Sequence, residues 1–152
     1  MHIVDRPAHR SAQRAMEILG ERWTILIVHE AFWGVRRFSE LQRNLGIARN
    51  ILSARLQSLT RAGVLERTRY QDDPERYEYR LTPMGRDLYP AVLAILRWGD
   101  QHLAGDDDPP LVLRHTCGSH ADPRLVCSCC GEELDPRTVA PEPAPGSPQR
   151  VA

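Results

Sequence analysis

The feature that most constrains this chain is a pair of short apolar stripes with a glycine between them. Apolar residues recur at helical spacing in two neighbouring stretches: Phe38, Leu41 and Leu45, then Leu52, Leu56 and Leu59. Each stripe predicts a helix with one buried face. Gly46 lies between the stripes and permits a tight turn. Two short helices joined by a glycine-containing turn predict a helix-turn-helix, with its second helix over residues 48–62.

Two further helices are predicted before this pair. Ser11 is a candidate N-cap for a first helix that stops at Gly20. The segment from Trp23 to Phe32 is apolar on most sides, which predicts a second, largely buried helix. We expect this second helix to lie at the centre of the core.

Two segments that follow the helix pair alternate apolar or aromatic residues with charged ones, as half-exposed strands do. They are residues 64–70 and 76–81, and the acidic segment 71–75 joins them as a hairpin loop. Thr82 and Pro83 then predict the N-cap and first residue of one long final helix that continues to Leu103. The predicted fold is mainly α with a small antiparallel β-hairpin wing, a winged helix-turn-helix.

The outward face of the predicted fourth helix carries side chains that can contact DNA bases. With its leucines facing inward, Arg49, Asn50, Ser53 and Gln57 lie on the opposite side. Arginine pairs with guanine, and asparagine and glutamine pair with adenine, in the major groove. An ordinary solvated face is the alternative interpretation. The full set of predicted DNA contacts is Arg37, Ser39, Arg49, Asn50, Ser53, Arg55, Gln57, Arg67, Arg69, Arg76 and Arg80.

The arginines of this set differ in the contact expected of them. Arg55 lies farther around the fourth helix and is expected to reach a phosphate. The hairpin arginines are also expected to contact phosphates through the strands, because the acidic loop between the strands would repel the DNA backbone. All 20 basic residues of the chain are arginine, which genomic base composition also produces, so their positions carry more weight than their number.

Other classes of protein find little support in the sequence. There is no apolar run long enough for a signal peptide or a membrane span, which predicts a cytoplasmic protein without a membrane partner. No nucleophile with a base and an orienting group is recognisable, and no phosphate-binding glycine loop is present, so no enzyme is predicted.

The four cysteines all lie between residues 117 and 130. Cys127 and Cys130 form a C-x-x-C pair followed by glycine, a spacing that lets both thiolates point at one metal ion. The predicted ligands of a structural zinc site are His115, Cys117, Cys127 and Cys130, with His120 or Cys129 as alternative ligands. A redox-active cysteine pair and inert cysteines are the alternatives. The predicted domains are the winged helix at 1–104, a linker at 105–110, the zinc knuckle at 111–138 and a disordered tail at 139–152.

Four segments in this order resemble the HxlR family of bacterial transcriptional regulators. They are ILGERWTILI at 18–27, RFSEL at 37–41, LSARL at 52–56 and YEYRLTPMGR at 77–86. The resemblance implies a MarR-like winged-helix homodimer joined through its first and last helices. It also implies that the two recognition helices enter successive major grooves of a pseudo-palindromic operator in double-stranded DNA. A protein-interaction module with a small zinc knuckle is the alternative function.

One position departs from the family pattern. Many HxlR regulators carry a sensing cysteine at the start of the first helix, and here that position is Ser11. A serine hydroxyl lacks the reactive thiolate, so thiol sensing at this position is not expected. A small-molecule effector remains a candidate partner, in a cleft near Trp23, Phe32 and Trp33, although large aromatic residues at this spacing are more often part of a core.

Overall fold

A computed structural model of the chain describes residues 7–105, 112–140 and 142. Its helices and strands are α1 (Pro7–Leu19), α2 (Arg22–Phe32), α3 (Phe38–Leu45), α4 (Arg49–Arg61), β1 (Leu65–Gln71), β2 (Arg76–Leu81), α5 (Pro83–Arg86) and α6 (Tyr89–His102). This order confirms a mainly helical fold with one antiparallel hairpin. The chain divides into two compact units, one ending at Ile95 and one beginning at Leu96. The predicted linker at 105–110 and tail at 139–152 lie largely outside the described residues, and the domain boundaries predicted from composition stay predictions.

The core of the first unit is built from the predicted apolar stripes. Its buried apolar side chains are Ile27, Val28, Leu41, Ile47, Leu52, Leu56, Leu59, Val64, Leu65 and Val92. Burying each of the larger ones stabilises the fold by about 1.5–3 kcal/mol before entropy is counted. Ile27 and Val28 are fully buried, so α2 contributes to the core as expected, although Leu26 of the same helix is exposed.

The helix-turn-helix is formed by α3 and α4. Gly46 ends α3 in the left-handed conformation, with φ of 62°, and its N–H donates to the Gln42 carbonyl at 3.0 Å. Ala48 is the N-cap of α4, and its carbonyl accepts from Leu52 N–H at 3.0 Å. The glycine therefore lets the chain reverse within three residues, and α4 follows within the range predicted for it.

The wing is the β1–β2 hairpin. Its register runs from Leu65 opposite Leu81 to Gln71 opposite Arg76, with an irregularity between Arg69 and Gln71. The Tyr79 N–H donates to the carbonyl of Arg36 at 2.8 Å, which ties β2 to the segment before α3. The wing is thereby held beside the helix-turn-helix.

The predicted start of the first helix is wrong. Ser11 lies inside α1, which begins four residues earlier at Pro7. Proline suits the first helical position, because its φ is already near the helical value and the N–H that it lacks would have no partner there.

The prediction of one long final helix is also wrong. Thr82 and Pro83 do begin a helix, in which Thr82 Oγ1 accepts from Gly85 N–H at 3.1 Å. That helix, α5, ends at Arg86, and α6 starts at Tyr89. Pro90 explains the break, because its ring would clash with the Arg86 carbonyl in a continuous helix and it has no N–H to donate. Among the residues described, no helix is long and apolar enough to cross a membrane.

Candidate nucleic-acid interface

The outward face of α4 carries the predicted base-reading residues. Leu52, Leu56 and Leu59 are buried, which leaves Arg49, Asn50, Ser53 and Gln57 on the solvent side, all exposed. They lie within the first nine of the 13 residues of α4, and the N-terminal part of a recognition helix is the part that enters the major groove in helix-turn-helix proteins. The orientation predicted from the leucine spacing is confirmed, whereas contact with DNA stays a prediction.

A polar cavity lies between one face of α4 and the wing. Its volume is about 390 Å³, and it is lined by Ser53, Gln57, Thr60, Arg61, Arg67 and Tyr79. Three of these residues were predicted DNA contacts, but Arg61 was not. Its signal was present in the sequence, since Ser53, Gln57 and Arg61 follow one another at four-residue steps and share one helix face. We name this feature the α4–wing cavity.

Three of the predicted arginines lie over aromatic rings. The distances from guanidinium carbon to ring centroid are 5.3 Å for Arg49 over Phe38, 5.0 Å for Arg37 over Tyr70 and 3.5 Å for Arg67 over Tyr77. A ring attracts the cation without neutralising it. These contacts therefore orient the three side chains and leave their charge available to an anion.

Three other predicted arginines pair with carboxylates of the protein. Arg69 lies 3.0 Å from Asp72 and 3.0 Å from Glu75 at the tip of the wing. Arg80 pairs with Glu78 on the same strand, and Arg55 lies 3.8 Å from Glu21. Exposed pairs of this kind contribute only about 0–1 kcal/mol, but each supplies a competing negative charge. Within the residues that the structure describes, Arg76 has no such partner, so the wing arginines are not equivalent.

The remaining predicted contact on the helix-turn-helix is Ser39. It is exposed in the first turn of α3, two residues after Arg37, which is the N-cap of that helix. Of the three aromatic residues proposed to line an effector cleft, Phe32 lines a cavity described below. Trp33 is exposed on the surface and Trp23 is half-buried.

The cysteine-containing segment of the second unit consists of two tight turns. Gly118 ends the first turn with φ of 90°, and Gly131 ends the second with φ of 77°. In the second turn the Cys127 N–H donates to the Glu132 carbonyl, and the Cys127 carbonyl accepts from the Gly131 N–H, both at 2.8 Å. The glycine after the second cysteine therefore makes the turn, as its position predicted.

The four predicted zinc ligands do not form one site in this arrangement. All of them are described, and within the described part of the chain no three His, Cys, Asp or Glu side chains form a group that could hold a metal ion. The Cys117 N–H donates to His115 Nδ1 at 3.2 Å, which occupies the lone pair of that nitrogen. The four cysteines are free thiols. Hydrogen bonds from the backbone N–H groups of Cys130 and Cys129 to its sulfur lower the pKa of Cys127.

Comparison with known proteins identifies the family. Residues 18–107 match the model of the HxlR-like helix-turn-helix family. The chain belongs to this family. An HTH-type transcriptional regulator of Mycobacterium tuberculosis, itself uncharacterised, is 55% identical to this HxlR-like chain over 143 residues, which cover 93% of the chain and 90% of that relative. A match of this length must extend past the winged helix into the cysteine-containing segment.

Solved structures agree with the family assignment. The structure of PA1607, described as a transcription factor, matches this HxlR-like chain with a TM-score of 0.80 and 32% identity and covers 92% of this chain and 96% of that one. A MarR-family transcriptional regulator from Enterococcus faecalis matches with a TM-score of 0.56 and 30% identity, covering 66% and 93% of the two chains. The HxlR-like protein is a transcriptional regulator with a helix-turn-helix DNA-binding fold. Its relatives indicate no enzyme family.

Proposed function

We propose that this protein is a cytoplasmic homodimer that binds a pseudo-palindromic operator in double-stranded DNA. The observation that carries the proposal is the exposed face of α4, with Arg49, Asn50, Ser53 and Gln57 on one side of a buried leucine stripe. In this proposal α4 lies in the major groove and these four side chains contact base edges. Operator binding would then regulate transcription.

Arginines around α4 contact the DNA backbone in this proposal, whereas the exposed face of α4 contacts the bases. Arg67 and Arg61 line the α4–wing cavity, where a backbone phosphate could approach both guanidinium groups. Arg76 on the wing has no carboxylate partner among the described residues and supplies a further phosphate contact. Phosphate contacts of this kind fix the position of the protein on the duplex, whereas the α4 residues select the sequence.

Titration of labelled promoter DNA tests this function. We expect the fragment upstream of the protein's own gene to bind at least about a thousandfold more tightly than a random duplex of equal length. Affinity for both should fall as salt rises from about 50 to 200 mM, because phosphate contacts release counterions. Fluorescence anisotropy measures both effects. Equal affinity for the two duplexes at every salt concentration would show that the proposal is wrong for this promoter. Genome-wide selection of bound fragments would then test all other sites in the genome.

Dimer formation through the first and last helices is the second part of the proposal. Each of these helices exposes large apolar side chains: Met16 of α1 is 57% exposed, and Ile95 and Trp98 of α6 are 51% and 56% exposed. An exposed tryptophan costs hydrophobic free energy that burial against a second copy would recover. A pseudo-palindromic site has two-fold symmetry, so the partner proposed to cover these apolar side chains is a second copy of the chain.

Trp98→Glu is therefore expected to convert the dimer into a monomer. A carboxylate in an apolar interface has no partner to offset its lost hydration. Light scattering during gel filtration should give twice the 17.3 kDa chain mass for the wild type and a single chain mass for the variant. Leu125→Glu, at a position that is also exposed but lies outside both helices, is the control and should stay dimeric. A Trp98→Glu protein that still runs as a dimer would contradict the proposed interface.

Zinc binding by the cysteine-containing segment stays a prediction from the sequence. It is supported by the turn that holds Cys127 and Cys130 together, but the first turn would have to rearrange to complete four ligands. If zinc is structural, protein purified under reducing conditions at neutral pH should retain about one zinc ion per chain. Less than about 0.2 zinc per chain, with all four thiols titratable, would end this hypothesis.

A further inference from the structure

The first unit has a second cavity, which shares Tyr79 with the α4–wing cavity. Its volume is about 400 Å³, and it is lined by Ala31, Phe32, Gly34, Arg36, Glu66, Tyr79, Arg80, Leu81 and Arg86. These residues come from the end of α2, the segment before α3, both strands of the wing and α5. Cavities that bind small molecules have volumes of roughly 300–1,000 Å³. We name this feature the α2–α5 cavity.

The charge of the α2–α5 cavity is positive. It contains three arginines against one carboxylate, Glu66. Arg80 is already paired with Glu78. Within the described residues neither Arg36 nor Arg86 forms an ion pair, and Arg86 uses one nitrogen, Nη1, to donate to the Leu81 carbonyl at 2.9 Å. Arg36 and Arg86 therefore line the cavity without an ion-pair partner in the described part of the chain, and even with Glu66 counted the cavity keeps a net positive charge, which favours an anionic ligand.

The other walls of the cavity are apolar. Phe32 packs against Tyr89, with ring centroids 4.8 Å apart, and this contact holds the Phe32 ring in place. Leu81 and Ala31 extend the apolar surface, and all three side chains are half-buried. A bare phosphate group would gain nothing from these walls, whereas an anion with an apolar body would bury surface against them.

We propose that the α2–α5 cavity binds a small organic acid. Its carboxylate is held by Arg36 and Arg86, and its apolar body packs against Phe32 and Leu81. Guanidinium groups suit this role, because their parallel N–H groups match the two oxygens of a carboxylate. The chemistry distinguishes this ligand from DNA, whose phosphates offer charge without an adjoining apolar body.

Tyr79 connects ligand binding in the α2–α5 cavity with the affinity for DNA. This residue lines both the α2–α5 cavity and the α4–wing cavity, and its N–H donates to the carbonyl of Arg36. A ligand that contacts Arg36 and Tyr79 would therefore stabilise the position of the wing that binds the ligand more tightly. The affinity for DNA would change with the position of the wing. This regulatory consequence rests on the proposed DNA-binding function, whereas ligand binding does not.

Calorimetric titration of the full chain with 4-ethylbenzoate tests the binding site. We expect a Kd below about 1 mM, a value within reach of a ligand of this size. The uncharged analogue 4-ethylbenzamide should bind at least tenfold more weakly, and inorganic phosphate at the same concentration should not displace the acid. Arg36→Gln should weaken binding at least tenfold. Arg43→Gln removes an exposed arginine of α3 that does not line the cavity, and should leave binding unchanged.

Several results would overturn the proposal. These are the absence of binding up to about 10 mM, equal binding of acid and amide, displacement by phosphate, or unchanged binding in Arg36→Gln. Arg86→Gln provides a second test, and thermal melting by circular dichroism shows whether that variant is folded, because Arg86 also donates to the Leu81 carbonyl. Operator affinity measured with and without the acid is a separate readout. Ligand binding without any operator binding would refute the DNA-binding function alone.

Discussion

Replacing both Arg49 and Asn50 by alanine is expected to weaken operator binding by about a hundredfold or more. Each bidentate contact to a base edge contributes about 1–3 kcal/mol of discrimination, and the two residues begin the exposed face of α4. Both side chains are exposed, so their removal should leave the fold intact. Affinity for a random duplex should fall far less, because base contacts contribute little to binding that phosphate charge dominates. Anisotropy titrations with both duplexes measure the two losses.

Two single variants serve as controls for this experiment. Ser58→Ala changes an exposed residue of the same helix outside the predicted reading face, and Arg137→Ala removes one positive charge from the second unit. Both should keep full operator preference. A double variant that retains operator preference and dimer mass would contradict base reading by α4. It would favour the alternative in which the winged helix binds another protein.

Gly85→Ala is expected to cost about 3 kcal/mol or more of the free energy of unfolding. Gly85 is buried in α5, where an added Cβ would lie 2.1 Å from the Val64 carbonyl oxygen and 3.0 Å from Leu81 Cδ2. The first of these atoms belongs to the backbone and also accepts a hydrogen bond from Thr82 N–H at 3.2 Å. Relief of the clash must therefore move α5 away from the start of the wing, which breaks packing on both sides. Urea unfolding followed by circular dichroism measures the loss.

Gly99→Ala is the matched control for this prediction. Gly99 lies in α6, and a Cβ added there meets nothing within 4 Å. Alanine has the higher helix propensity, so this variant should be unchanged or more stable by up to about 1 kcal/mol. A Gly85→Ala protein that unfolds at the wild-type urea concentration would show that α5 does not pack against Val64 as described.

Much of the fold could be predicted because its signals are local. The bounds of α3 follow from the spacing of its apolar residues and from Gly46, whose φ of 62° favours glycine. The wing follows from period-two alternation on either side of an acidic loop. The break between α5 and α6 was also marked locally, by Pro90, but the apolar spacing that continues across it favoured a single helix.

The candidate interface could be predicted only in part. Leucine spacing alone determined which side of α4 faces solvent, since a helix must bury its apolar stripe. It could not determine that Arg61 and Arg67 line one cavity, because these residues lie on different elements. Leucine spacing also could not predict that the two wing arginines have different partners. Arg69 pairs with two carboxylates at the tip of the wing, whereas Arg67 lies over an aromatic ring.

By itself, then, the sequence determined the order of helices and strands up to the end of the wing, the buried stripes and the exposed face of α4 in this HxlR-like protein. Periodicity and turn-forming residues specify these features within a few residues of chain. Tertiary structure decided which arginines keep an available charge, which residues share the two cavities beside Tyr79 and whether the cysteines and histidines meet. Those outcomes depend on distances between side chains remote in sequence, which only the packing of the elements sets.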